Sequence, residues 1–169
     1  MGSTRLPGKV LTSITGKPMI ELLLSRLSHS SEIDEIVVVT SEAAENDRLQ
    51  LTVESLGYRC TRGSEKNVLN RFYESAKFIG ADIIVRITAD CPLIDPALID
   101  QCIKGLKKSN VDYFSNTDPA TYPDGLDISV MTFKSLECAN NEAVSKFDEE
   151  HVTPYIRNSK SFLKSSIQH

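Results

Sequence analysis

Short apolar runs alternate with helically spaced apolar patterns from one end of the sequence to the other, and this alternation constrains the fold more than any other feature. It is the mark of βαβ units, in which crossover helices must cover the sheet that they connect. The strands it predicts lie at 35–40, 58–62, 82–88, 112–115 and 126–133. Ile36-Val37-Val38-Val39 and Ile83-Ile84-Val85 are almost continuously apolar, the composition of strands covered on both faces. Helices are expected between them. Pro18 is placed at a first helical position ahead of Met19, Ile20, Leu22, Leu23, Leu24 and Leu27. A second helix is read at 46–56, and Val68, Leu69, Phe72, Tyr73, Ala76 and Ile79 form one face of a third over 65–80. Pro96 opens another, with Leu98, Ile99, Cys102, Ile103 and Leu106 turned inward, and 133–146 is read as a further one. The expected fold class is α/β with a mostly parallel sheet.

A chain of 169 residues is sized for a single domain over 1–169 with a sizeable core. Lys and Arg number 19 against 23 Asp and Glu, a formal charge of −4, and no five like charges run together. That balance argues against a general electrostatic hold on nucleic acid or an anionic membrane. No apolar run approaches the roughly 20 residues of a membrane span, and no signal-peptide pattern is present. Cys60, Cys91, Cys102 and Cys138 are far apart, as are His29, His151 and His169, so neither a zinc site nor a disulfide framework is indicated. Reduced thiols and a cytoplasmic location are the expectation.

Five strings carry chemistry. The first, Gly2-Ser3-Thr4-Arg5-Leu6-Pro7-Gly8-Lys9, combines glycine-freed backbone donors, a hydroxyl and two cations, the groups that hold a polyphosphate. It is neither a Walker loop nor a G-x-G-x-x-G turn, and a solvated terminal stretch is the plain alternative. In Arg86-Ile87-Thr88-Ala89-Asp90-Cys91-Pro92-Leu93-Ile94-Asp95-Pro96, a buried strand leads to Asp90, where open α/β sheets bind ligands and a carboxylate suits Mg²⁺. Asp95 reads as the cap of the helix that Pro96 opens. In Arg62-Gly63-Ser64-Glu65, Ser64 is either a helix N-cap or a nucleotide contact. Tyr122-Pro123-Asp124-Gly125-Leu126-Asp127 reads by spacing as a turn entering a strand. Glu150-His151-Val152-Thr153-Pro154-Tyr155-Ile156 sets a histidine beside carboxylates, but no nucleophile motif accompanies it to make a hydrolase triad.

Together these five strings closely resemble the spore-coat polysaccharide cytidylyltransferase family, relatives of the CMP-sugar synthetases, in order and over nearly the whole chain. The resemblance implies a Rossmann-like, three-layer nucleotidyltransferase fold of the nucleotide-diphospho-sugar transferase kind. It implies an enzyme that joins CMP from CTP to an acidic sugar or similar hydroxyl acceptor, releasing pyrophosphate, with Mg²⁺, in surface polysaccharide or glycan synthesis. By matching positions, Gly2, Ser3, Arg5 and Lys9 would hold the triphosphate and Lys9 would offset charge on the leaving group. Asp90 would bind metal, Arg62 and Ser64 would lie near the nucleoside, and Asp124 and Asp127 near the acceptor. A homodimer is also implied.

The sequence departs from the family at three places. Family members carry a strand and a further basic residue before the position of Met1, a second metal-binding aspartate beyond the position of His169, and usually a glutamate at the position of Ser129. The strand is central in the resembling fold, between those expected at 35–40 and 82–88. The expectation is therefore a domain truncated at both ends, less active and less stable than an extended one. The alternative function is a catalytically silent nucleotide-binding relative or subunit partner.

Overall fold

In a computed structural model, which describes residues 8–169, the alternation of strands and helices is realised. The chain starts in a 3₁₀ turn at Lys9–Leu11, then a small antiparallel hairpin of β1 (Ser13–Ile14) and β2 (Lys17–Pro18) leads into α1 (Met19–Leu27). Pro18 caps α1 with an extended backbone (ψ 142°) and does not occupy its first turn. β3 (Val37–Ser41), α2 (Asp47–Ser55) and β4 (Arg59–Gly63) form a βαβ unit whose strands pair in parallel, Val37 with Arg59 through Ser41 with Gly63. α3 (Val68–Ile79) follows and ends on Gly80, whose φ of 68° is the left-handed conformation that a glycine cap adopts without strain.

β5 (Ile83–Arg86), α4 (Pro96–Ser109), β6 (Tyr113–Ser115) and β7 (Ser129–Thr132) come next. α5 (Phe133–Glu142), α6 (Lys146–His151), α7 (Pro154–Asn158) and β8 (Lys164–Ser166) complete the chain. The second sheet has the order β5-β7-β6-β8 and is mixed: β7 is antiparallel to both neighbours and β8 is parallel to β6. Three of its four strands, β5, β6 and β8, run the same way, as the mostly parallel sheet expected from the alternation requires, and β7 is the exception. No helix joins β6 to β7, and a strand reached through a loop can return antiparallel, whereas a parallel return needs a crossover.

Other boundaries moved for local reasons. The helix expected over 133–146 stops at Glu142, and Ser145 caps a new one by accepting from the Asp148 N–H. α3 is capped by Asn67, which accepts from the Asn70 N–H at 2.8 Å. β1, β2 and β8 are too short to give a readable period of two.

The strands alternate between two cores, which makes three layers. Ile83, Val85, Phe114 and Val130 face α1, α2 and α4. Ile84, Tyr113 and Met131 face α3, α5 and α7. Gly105 brings α4 close to β6, since a Cβ there would stand 2.4 Å from Cζ of Phe114.

Among the described residues, β3 pairs only with β4, and β5 only with β7. A cavity of ≈ 730 Å³ lies between the two sheets, walled by Val37, Val38 and Val39 on one side and Ile83, Ile84 and Val85 on the other. The two strands expected to be covered on both faces are therefore only partly buried along most of their length. Among the described residues, no helix is long and apolar enough to cross a membrane.

Candidate active site

β5 delivers its carboxyl end to a tight turn. The Cys91 N–H donates to the Thr88 carbonyl (3.2 Å), the Ile94 N–H donates to the Cys91 carbonyl (3.1 Å), and the Thr88 hydroxyl meets the Cys91 thiol at 3.1 Å. Cys91 and Ile94 are buried and anchor the turn, which leaves Asp90 exposed at its tip. Asp95 accepts from the Ala97 N–H at 2.9 Å and caps α4. The two aspartates of this string have separate jobs, as their positions relative to the helix predict.

Lys9 reaches the same point from far away in the sequence. Its 3₁₀ turn starts at Gly8, whose φ of 70° directs the chain, and is anchored by buried Val10. Lys9 Nζ donates to Asp90 Oδ2 at 2.6 Å. That hydrogen bond holds the Asp90 carboxyl below the usual carboxylate range, against the opposing effect of partial burial. The side chains are 34% and 49% exposed, so both groups remain open to a ligand. An ion pair this exposed adds only about 0–1 kcal/mol to stability.

Gly2, Ser3 and Arg5 lie outside the described residues. Arg62 is firmly engaged: it donates to the Ser41 carbonyl (3.0 Å), the Ala43 carbonyl (2.8 Å), Asp47 Oδ1 (2.6 Å) and Gln50 Oε1 (3.0 Å). The structure gives it the work of bracing the β3–α2 connection. Ser64 is exposed just beyond β4, where its hydroxyl accepts from the Asn67 N–H at 3.0 Å. It shapes the approach to α3 but is not its cap. Beside it, Arg71 donates to the Ser64 carbonyl at 2.6 Å, while its buried Nε has no partner. No hydrogen bond or ion pair among the described residues joins Arg62 or Ser64 to Lys9 or Asp90.

Asp124 and Asp127 are exposed in the loop before β7, where the Leu126 N–H closes a turn on the Pro123 carbonyl at 3.3 Å. Asp127 acts electrostatically on Arg86 and on Cys91, as Asp90 does. Lys9, Arg86, Asp90 and Asp127 therefore share one neighbourhood at the carboxyl end of β5. Sequence reading missed Arg86, although a cation closing the run Ile83-Ile84-Val85 was its visible signal.

His151 is exposed and meets the Phe147 ring edge-on at 4.5 Å. The chain then reverses at Val152 (φ 71°, ψ −53°), where the Thr153 N–H donates to the His151 carbonyl at 2.8 Å. This is a γ-turn of the strained kind, and it has a β-branched, fully buried residue at its centre. The packing of α6 against α7 makes this string structural.

Among the described residues, no three His, Cys, Asp or Glu side chains gather as a metal cage. Mg²⁺ usually takes one or two carboxylates and completes its shell with substrate phosphates and water. A half-exposed Asp90 beside a cation fits that mode of binding and no more enclosed one.

Comparisons with known proteins bear on the family and the fold. The sequence model of the cytidylyltransferases matches residues 1–169. The uncharacterized protein MJ1063 of Methanocaldococcus jannaschii is 42% identical over 163 residues, covering 96% of this chain and 66% of that protein. The spore coat polysaccharide biosynthesis protein SpsF of Bacillus subtilis is 34% identical over 163 residues, covering 94% and 67%. A 3-deoxy-manno-octulosonate cytidylyltransferase of Geobacter sulfurreducens is 38% identical over 109 residues, covering 63% and 42%. The chain thus spans about two thirds of the first two relatives and less than half of the third. Among solved structures, a cytidylyltransferase of Leptospira borgpetersenii superposes with a TM-score of 0.93 at 30% identity, covering all of this chain and 72% of that one. A CMP:2-keto-3-deoxy-manno-octonic acid synthetase complexed with CTP gives 0.73 at 19% identity, covering 99% and 86%, a likeness of fold alone.

Proposed function

The chain belongs to the cytidylyltransferase family, and from that premise we propose that it serves CTP-dependent transfer of CMP to an acidic sugar in glycan synthesis. The observation that carries this reading is the convergence of Lys9 and Asp90, 81 positions apart, at the carboxyl end of β5. That edge is where open α/β sheets bind their ligands. The activity for which the octulosonate relative is named supports a sugar acid as acceptor.

In this reading an acceptor hydroxyl oxygen attacks the α-phosphorus of CTP. The bond to the β-phosphate breaks, pyrophosphate leaves, and the hydroxyl proton is released. Little covalent work falls to the protein, so positioning and charge neutralisation are what it contributes. Lys9 leaves Asp90 for the phosphates and offsets charge on the leaving pyrophosphate, joined by Gly2, Ser3 and Arg5. Asp90, freed of its lysine, would hold Mg²⁺, which supplies charge neutralisation on the triphosphate when bound. Ser64 lies on the nucleoside side of an edge that Arg62 braces, and Asp124 and Asp127 face the acceptor.

The test is pyrophosphate release in the presence of each nucleoside triphosphate, Mg²⁺ and a panel of sugar acids. Release that requires CTP, an acid and Mg²⁺ is expected. CTP binding without release under any combination would instead identify a silent relative, and no CTP binding at all would overturn the reading.

A further inference from the structure

β5 is apolar until its last residue. Arg86 lies on the face of the sheet that Ile84 occupies, opposite Ser129 in the ladder with β7. The neighbouring polar atoms are already committed, because Ser129 Oγ and the Tyr113 hydroxyl hydrogen-bond to each other at 2.8 Å. The other two partly buried arginines, Arg62 and Arg71, each donate to backbone carbonyls. Among the described residues, the Arg86 guanidinium donates no hydrogen bond and pairs within 4 Å with no carboxylate. Burial pushes its pKa down, disfavouring the charged form, while Tyr113, Asp90, Cys91 and Asp127 oppose this only through space. The side chain also lines the end of the cavity between the sheets, which gives it access to solvent.

A partly desolvated guanidinium with a free fork of donors is costly unless an acceptor arrives. Among the described residues no structural partner supplies that acceptor, which leaves the role to a ligand. Building on the function proposed above, we propose that Arg86 receives the carboxylate of the acceptor sugar acid and so determines specificity for acids. Three features select the carboxylate. The planar fork matches it in bidentate fashion. Arg86 feels both the carboxylate assigned to the metal and the one assigned to the acceptor, so an acid held there is bound at the edge where transfer is proposed. Finally, Asp90 and Asp127 already place negative charge around Arg86, which suits a monoanion better than a polyphosphate, and Lys9 already serves the latter.

The test titrates the full chain and its R86Q and R86K variants with 3-deoxy-manno-octulosonate and D-glucuronate, each against its methyl ester. Glucose 1-phosphate is the phosphate arm, and CTP with Mg²⁺ is titrated in parallel. Expected is a preference of the unmodified chain for at least one acid over its ester by roughly tenfold or more, the strength of one charged hydrogen-bonded contact. R86Q should abolish that preference with CTP affinity and thermal midpoint unchanged, and R86K should restore part of it. The proposal is overturned if R86Q keeps the preference, if it loses CTP affinity instead, if the sugar phosphate is preferred, or if neither acid is distinguished from its ester. Loss of the cytidylyltransferase reading would show separately, as absent CTP binding beside an intact, Arg86-dependent preference for acids.

Discussion

β7 and β3 make an instructive pair. β7 is Ser129-Val130-Met131-Thr132, with hydroxyls at half its positions, yet it is paired on both edges and neither Val130 nor Met131 is exposed at all. β3 begins with three successive valines, yet among the described residues it has one partner strand, and all three line the cavity and are only partly buried. The more apolar strand is the less buried one. Apolar sequence creates a demand for burial, but the elements that come to lie alongside decide how far that demand is met.

The largest test of this contrast is truncation on each side of it. Met131→Ala should lower the unfolding free energy by about 2–5 kcal/mol, because a close-packed site pays for both lost transfer energy and a new void. Val38→Ala should cost less than about 1 kcal/mol, since it enlarges a space that already exists. Equal losses in urea denaturation would break the comparison.

Catalysis should follow the open side and stability the closed one. Asp90→Asn is expected to cut pyrophosphate release by roughly a hundredfold, the scale of one lost electrostatic contact at a reacting centre. Its effect on stability should stay below about 1 kcal/mol, as for other exposed ion pairs. Undiminished release would remove Asp90 from the site.

A smaller effect sharpens the closed side. Gly105→Ala would drive a methyl group against the Phe114 ring. Overpacking of this kind costs about 1–3 kcal/mol, against a helix-propensity gain of about 1 kcal/mol. A net loss in thermal stability is expected, and a gain would mean that α4 and β6 are less tightly engaged than described.

The smallest effect concerns the polar bridge between the two sides. Asp100 of α4 accepts from the Ser30 hydroxyl, from the Ser31 hydroxyl (2.6 Å) and from the backbone N–H groups of Ser31 (3.1 Å) and Glu32 (3.3 Å), tying down the loop that leads to β3. Burial pushes its pKa up, but these hydrogen bonds outweigh that and hold it at about 2. A carboxyl depressed on folding stabilises above its unfolded value, near 3.9, and loses that contribution as pH falls towards 2. The gap in unfolding midpoint between the unmodified chain and Asp100→Asn should therefore be full at pH 5 and close between pH 4 and pH 2. A gap that persists at pH 2 would show that the bridge does not depend on the charge.

Much of this was legible beforehand because it rests on local chemistry. Pro96 with Asp95 ahead of it specified the start of α4, and the three- and four-residue spacing from Val68 to Ile79 specified α3. Asp90 was legible as an exposed carboxylate at a strand end because no helix follows it closely enough to use it as a cap. The four hydrogen bonds of Arg62 to the β3–α2 connection became visible only in three dimensions, because a motif records residue type without its partners. Arg86 was overlooked for the converse reason. Among the described residues it has no hydrogen-bond partner, and a sequence does not display a missing contact.

By itself the sequence determined the α/β class, the order of the principal elements and the residue types available for phosphate and metal chemistry. Periodicity, caps and turn residues act within a few positions along the chain, so they can be read there. Only the tertiary structure decided that β7 runs antiparallel between β5 and β6, that Lys9 meets Asp90, that Arg62 braces while Arg86 finds no partner among the described residues, and that the most apolar strands flank a cavity. Those outcomes depend on contacts between residues tens of positions apart, where burial, pairing and charge are set by whichever neighbour the fold supplies.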